Sequence, residues 1–189
     1  DRLVNLARAE QLYDRVFFEY GDDSVAQLGG VHLACEQASN VLTKVLEWGR
    51  IAAYLEQSTR YIAYDRPLGD RYRYFVPEEI RAAGLEEEFT NFMERIFSFY
   101  SDAVERLVGH FSAVHPQQPG DSDFVWRSTI KAKAYDTVRG VLPAATLSNV
   151  GIFGSGQAYE MAVLGMQARA LQAVRSSGVM MLEDRRRRG

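Results

Sequence analysis

Cysteine is the scarcest residue type in this sequence, and its scarcity limits the compartments and chemistries to consider. The 189 residues include one cysteine, Cys35, so no disulfide can form within the chain. A chain without disulfides fits a reducing compartment, and we expect a cytoplasmic location. Cys35 lies in a largely apolar run, which favours a buried structural thiol over a nucleophile.

Long apolar runs, a strong charge of one sign and clustered histidines are also missing. No stretch approaches the about 20 apolar residues that a membrane-spanning helix needs, and no signal peptide is recognisable at the start. The net charge of -3 gives no general attraction to nucleic acid or a membrane, so we expect neither as a partner. His32 has no second ligand at useful spacing, and we expect no metal site. The first residue is Asp1 rather than Met, as in a portion of a longer protein.

The remaining composition is typical of a folded domain, with 47% hydrophobic and 25% charged residues. We expect a single domain over 1–189 that ends in a flexible Arg-rich tail at 185–189. Hydrophobic periodicity predicts a helix-rich α+β fold, in which a small twisted sheet, mixed or antiparallel, packs against a layer of helices. Helices are predicted at 2–20, 39–48, 89–111, 121–139 and from Tyr159 to Val174, and strands at 31–35 and 147–153.

One polar stretch, from Arg50 to Tyr61, stands out because its chemistry suits a phosphorylated ligand. Glu56, Ser58 and Arg60 occupy alternate positions, so an extended backbone would place all three on one face. A guanidinium and a hydroxyl can bind a phosphate, and a carboxylate can accept from a sugar hydroxyl or hold the arginine. An edge strand with a solvated polar face is the alternative interpretation.

The same stretch resembles the signature of the flavin-dependent thymidylate synthases, the ThyX family. That signature runs Arg-His-Arg, two residues, Ser, one residue, Asn-Glu, one residue, Ser, one residue, Arg-Tyr. The positions that match are Arg50, Glu56, Ser58, Arg60 and Tyr61. Two more landmarks lie at compatible spacing. Residues 21–27 resemble the family's Gly-His-x-Ser-x-x-Glu, and residues 138–143 resemble its Ala-Arg-x-x-Leu-Pro.

The resemblance implies an enzyme of dTMP biosynthesis that methylates dUMP. Methylenetetrahydrofolate would supply the carbon, NADPH would reduce the flavin, and FAD would carry the hydride without a cysteine nucleophile. The family forms cytoplasmic homotetramers with sites built from several chains, and its fold is a mixed sheet flanked by helices. By the family pattern, Ser58, Arg60 and Arg139 would hold the dUMP phosphate, and Glu56 would lie beside the ribose.

The sequence departs from the family pattern mainly where the flavin would bind. Trp48 and Gly49 replace the Arg and His of the triplet. The cofactor contacts that we still expect are Arg50, Ser155 and the Trp48 ring, which could stack on the flavin. Counting forward from Arg139, methionines occupy two later positions that are polar in the family. The sequence therefore describes a divergent member. The alternative is a non-catalytic, half-site nucleotide-binding domain that pairs with a complete copy.

Overall fold

The computed structural model describes residues 6–19 and 27–188, and these form an α+β fold, as predicted. The elements in chain order are α1 (Leu6–Tyr13) with a π-helical continuation (Asp14–Glu19), β1 (Gly30–Ser39), α2 (Asn40–Leu46), β2 (Ala52–Glu56), α3 (Glu78–Ala82), α4 (Glu86–Val114), α5 (Asp123–Val138) with a 3-10 turn (Arg139–Val141), β3 (Leu147–Ser155), α6 (Gly156–Gln167) and α7 (Gln172–Arg188). Across these described residues, no helix is both long and apolar enough to span a membrane.

The sheet is small and antiparallel, with the strand order β1-β3-β2. The central strand β3 comes late in the chain and lies between two strands that precede it. Burial alternates along β3, as expected for a strand with one covered face. Its covered positions are Ser148, Val150, Ile152 and Gly154.

The chain divides into two compact units. Unit 1 combines the described residues up to Cys35 with Val45–Leu55 and those from Gly151 onward, and unit 2 combines Glu36–Lys44 with Glu56–Val150. The prediction of a single domain and that of a flexible tail at 185–189 stay predictions.

The core of unit 2 is built on the apolar stripe of α4. Met93, Phe97, Tyr100 and Val104 are buried, and their three- and four-residue spacing places them on one side of the helix predicted at 89–111. Phe92 is also apolar, but its side chain is 56% exposed. The burial of Met93 and Phe97 turns the neighbouring position 92 away from the core, because adjacent helical residues point about 100° apart.

Unit 1 has its own core between α6 and α7. Val163, Met166 and Val174 are buried there, and a side-chain carbon added at Gly178 would lie 3.3 Å from the Met166 Cβ, so the two helices approach closely. The sequence predicted one last helix, but the structure breaks it after Gln167 and begins a second one at Gln172. The break allows α7 to fold back against α6 and bury its apolar side.

Candidate functional site

The polar stretch that drew attention in the sequence is extended in its first half and turned in its second half. β2 carries the chain to Glu56, and the amide of Gln57 still donates to the Asn149 carbonyl at 2.9 Å. The Ser58 carbonyl then accepts from the amides of Tyr61 and Ile62, at 3.2 and 3.3 Å. The prediction that Glu56, Ser58 and Arg60 share one face of a strand is therefore wrong beyond Glu56.

Ser58 supports this turn with its side chain. Its Oγ accepts from the Arg60 amide at 3.3 Å, a local contact that serines commonly make in turns. The turn directs Arg60 toward the end of α5, where the second predicted phosphate contact, Arg139, begins the 3-10 turn.

Arg60 and Arg139 meet at a carboxylate that the sequence analysis did not identify. Arg60 Nε lies 2.9 Å from Asp136 Oδ1, and its Nη2 donates to Oδ2 at 3.1 Å. Arg139 Nε lies 3.0 Å from the same Oδ1. We call these three residues, Arg60, Asp136 and Arg139, the arginine clamp. All of it lies in unit 2.

The arginine clamp keeps an excess positive charge and unused donors. The hydrogen bond from Arg60 lowers the pKa of Asp136, and the same bond raises the pKa of Arg60, so both groups are ionised at neutral pH. Two guanidiniums against one carboxylate leave a net charge of about +1. The Arg60 and Arg139 side chains are 50% and 44% exposed, and each guanidinium has more donors than Asp136 uses. The arrangement can therefore bind a further anion.

Glu56 lies beside a different set of partners. Thr43 Oγ1 donates to its Oε1 at 3.0 Å, and Lys44 Nζ forms an ion pair with its Oε2 at 2.8 Å. Thr43 is fully buried, whereas the Lys44 side chain is 64% exposed. Both partners come from α2, twelve or thirteen residues before Glu56, and no motif in the sequence indicated them. Glu56 is thus held in place as a charged acceptor without contacting Arg60.

A polar bridge next to this region fixes the end of β2 to β3 and β1. Asn149 Nδ2 donates to Gln57 Oε1 at 2.8 Å, and Asn149 Oδ1 accepts from the Gln37 amide at 2.8 Å. Gln37 has a positive φ of 53°, which is unusual for a residue other than glycine. The amide side chain of Asn149 therefore ties all three strands together close to the start of the Ser58 turn.

The three cofactor contacts predicted from the sequence all lie in unit 1. The Trp48 side chain is 68% exposed, and Arg50 is also exposed. Ser155 is the N-cap of α6, where its Oγ accepts from the Ala158 amide at 3.3 Å. This use leaves the hydroxyl proton available to a ligand.

Arg169 lies beside one of these residues, Trp48. Its guanidinium carbon lies 4.8 Å from the centre of the Trp48 ring, in a cation–π contact. Arg169 follows the end of α6, in the break before α7, so a prediction with one continuous helix could not place it. Of the two methionines at the positions that are polar in the family, Met166 is buried in the core and Met161 is exposed.

Comparison with known proteins identifies the family. The profile described as "Thymidylate synthase complementing protein" matches residues 2–186, which is nearly the whole chain. The chain belongs to this family. The resemblance stated from the polar stretch and its two landmarks is confirmed. The landmark at residues 21–27 lies outside the described residues except for Gln27.

Individual relatives within the thymidylate synthase complementing family are longer than this chain. A UPF0159 protein of Chlamydia muridarum is 34% identical over 96% of this chain and 34% of its own length. A UPF0159 protein of Thermoplasma acidophilum is 34% identical over 82% of this chain and 36% of its own length. A flavin-dependent thymidylate synthase of Pyrococcus furiosus is 28% identical over 63% of this chain and 45% of its own length. The chain thus spans about a third of the UPF0159 relatives.

Proposed function

We propose that the arginine clamp binds the 5′-phosphate of dUMP and that the chain works in a flavin-dependent thymidylate synthase. The main support for this proposal is that Arg60 and Arg139 lie next to each other, although they come from two separate family landmarks. Together they form one exposed cluster of guanidinium donors. Planar guanidiniums suit phosphate, and two of them provide both charge and orientation. The identity of the nucleotide and of the reaction is inferred from membership of the thymidylate synthase complementing family.

Each neighbouring residue has a role in this proposal. Arg60 and Arg139 hold the phosphate, and the Ser58 hydroxyl can donate to it from the adjacent turn. Glu56, oriented by Lys44 and Thr43, accepts from a ribose hydroxyl. The protein's contribution is to bind and orient the nucleotide, because the cofactor supplies the difficult chemistry.

The residues of unit 1 fit the chemistry of FAD in part. An exposed Trp48 ring can stack on a flat ring system, and the cations Arg50 and Arg169 suit a diphosphate. The Ser155 hydroxyl adds one donor. When bound, the flavin would supply the hydride. By analogy with the family, we also propose NADPH and methylenetetrahydrofolate as co-substrates. The same analogy suggests that the protein forms a homo-oligomer in the cytoplasm.

A second candidate function is a non-catalytic or half-site nucleotide-binding module that pairs with a complete copy. One observation favours it. Trp48 and Gly49 stand where the flavin-contacting triplet has Arg and His. Such a module would bind the nucleotide phosphate and would not form dTMP alone.

Calorimetric titration with dUMP tests the binding proposal directly. We expect the wild-type protein to bind dUMP, and Arg60→Ala and Arg139→Ala each to weaken binding about tenfold to a hundredfold, the usual effect of losing a charged hydrogen bond to phosphate. Arg127→Ala is a matched control, since Arg127 on α5 is exposed and paired only locally with Asp123. Absence of dUMP binding by the wild type would overturn the proposal.

A turnover assay then separates the two candidate functions. Formation of dTMP by this chain with FAD, NADPH and methylenetetrahydrofolate supports the enzyme. Binding of dUMP without dTMP formation supports the half-site module.

A further inference from the structure

Asp136 lies between the two arginines of the arginine clamp, and the proposed function gives it no role of its own. Its Oδ2 accepts a hydrogen bond from Arg60 Nη2 at 3.1 Å, and its Oδ1 forms ion pairs with Arg60 Nε at 2.9 Å and with Arg139 Nε at 3.0 Å. The two arginines share Oδ1, so their guanidiniums lie close together. Without a carboxylate between them, two like charges at this separation would repel each other.

The two arginines reach this carboxylate from different parts of unit 2. Arg60 comes from the turn after β2, and Arg139 comes from the 3-10 turn after α5. Asp136 is in the last turn of α5, three residues before Arg139, which is the spacing that brings side chains together on a helix. It is therefore the group that links the two family landmarks.

We propose that Asp136 is a positioning residue that holds Arg60 and Arg139 in one fixed arrangement for phosphate binding. This inference rests on the proposed function of the arginine clamp. Asp136 does not contact the phosphate, and it acts by orienting the unused donors of both guanidiniums. Fixing flexible arginine side chains before binding reduces the entropy that binding would otherwise cost.

A competing interpretation is that Asp136 only occupies the site until an anion displaces it. The two interpretations predict opposite effects of removing its charge. If Asp136 positions the arginines, Asp136→Asn weakens binding although the site becomes more positive. If Asp136 is a competitor, the same change strengthens binding.

The test measures the affinity of wild-type protein, Asp136→Asn and Asp136→Glu for three probes: dUMP, deoxyuridine and inorganic phosphate. We expect Asp136→Asn to weaken dUMP and phosphate binding by about tenfold and to leave deoxyuridine binding unchanged. Asp136→Glu should recover part of the loss, because it restores a carboxylate. Asp123→Asn is the control, since it removes another arginine-paired carboxylate from the same helix and should not change any of the three affinities.

The outcomes also separate this inference from the proposed function. Unchanged or tighter phosphate binding by Asp136→Asn overturns the positioning role, and so does an equal loss for deoxyuridine, which would indicate general damage to the fold. Wild-type protein that binds inorganic phosphate but not dUMP overturns the nucleotide assignment, while the phosphate titrations still decide the role of Asp136. Wild-type protein that binds neither overturns both.

Discussion

At the scale of single residues, the acidity of Asp136 reports directly on the arginine clamp. The hydrogen bond from Arg60 is the main cause that lowers the pKa of this carboxyl from its ordinary value of 3.8. We therefore expect Arg60→Ala to raise the pKa of Asp136 toward 3.8, and Arg139→Ala to raise it less. Carbon-detected NMR titration of the aspartate side chains measures both shifts.

The same shift fixes how stability depends on pH. Because the folded-state pKa lies below the unfolded one, the stabilisation from Asp136 is present above pH 3.8 and is lost as pH falls through the folded-state value. Wild-type protein should lose more stability than Asp136→Asn over that acidic window. An Asp136 signal that does not move in Arg60→Ala would contradict the geometry of the clamp.

Thr43 provides a second prediction at the residue scale, because its hydroxyl is fully buried and holds Glu56. Its Oγ1 lies 3.0 Å from both the Asn40 carbonyl and Glu56 Oε1. Thr43→Val keeps the shape but removes the hydroxyl, and it should lower the free energy of unfolding by about 1–2 kcal/mol. Chemical denaturation measures this loss.

Thr137→Val is the control for that change. Thr137 is exposed on α5, where its hydroxyl only bonds the Lys133 carbonyl one turn earlier. We expect an effect within about 0.5 kcal/mol. Equal losses for both variants would show that the buried contact with Glu56 stabilises the fold no more than the exposed contact of Thr137 does.

At the scale of elements, the sequence predicted those parts whose structure depends on a long regular pattern. The apolar stripe of α4 extends over many turns, so periodicity alone identified this helix. The burial of β3 alternates without a break, but two of its covered positions are Ser148 and Gly154, so its sequence does not show the alternation. The Ser58 turn was missed because serine and threonine also occur in strands. The backbone hydrogen bonds to the Ser58 carbonyl and the bond from the Arg60 amide to Ser58 Oγ show that the strand ends.

The candidate site was predictable only where one segment contained the signal. Asp136 stands three residues before Arg139, and this helical spacing was a usable signal for their ion pair. The contact between Arg60 and Asp136 joins residues 76 positions apart, and the Trp48–Arg169 contact depends on a helix break. Neither can be derived from local spacing, because each depends on how distant elements pack.

Ser155 is both the N-cap of α6 and a proposed contact of the cofactor. Its Oγ caps the first turn of α6, so Ser155→Ala should destabilise the protein by about 1 kcal/mol. Ser155→Asp keeps a good N-cap and should retain the stability, but it removes the hydroxyl donor and adds a negative charge. If the hydroxyl donates to FAD, both variants bind FAD more weakly. Unchanged FAD affinity in both would limit Ser155 to the cap.

At the scale of the whole molecule, the family assignment covers nearly all of the chain, whereas the chain covers only about a third of its UPF0159 relatives. Membership of the family therefore does not by itself establish a complete active site. The residues proposed to bind the phosphate lie in unit 2, and the residues proposed to contact the flavin lie in unit 1. Flavin binding is the property that decides whether this chain acts alone.

The absorption spectrum of the purified chain tests that property, and we expect a yellow protein with near-stoichiometric FAD. Trp48→Ala and Arg169→Ala should each weaken FAD binding about tenfold, the usual worth of one aromatic stacking contact or one cation at a phosphate. Arg127→Ala should leave it unchanged, because that arginine is paired locally on α5. A colourless chain that FAD cannot reconstitute would contradict the prediction. If that chain still binds dUMP through Arg60 and Arg139, the half-site module is the correct function, because phosphate binding then persists without the cofactor that the reaction requires.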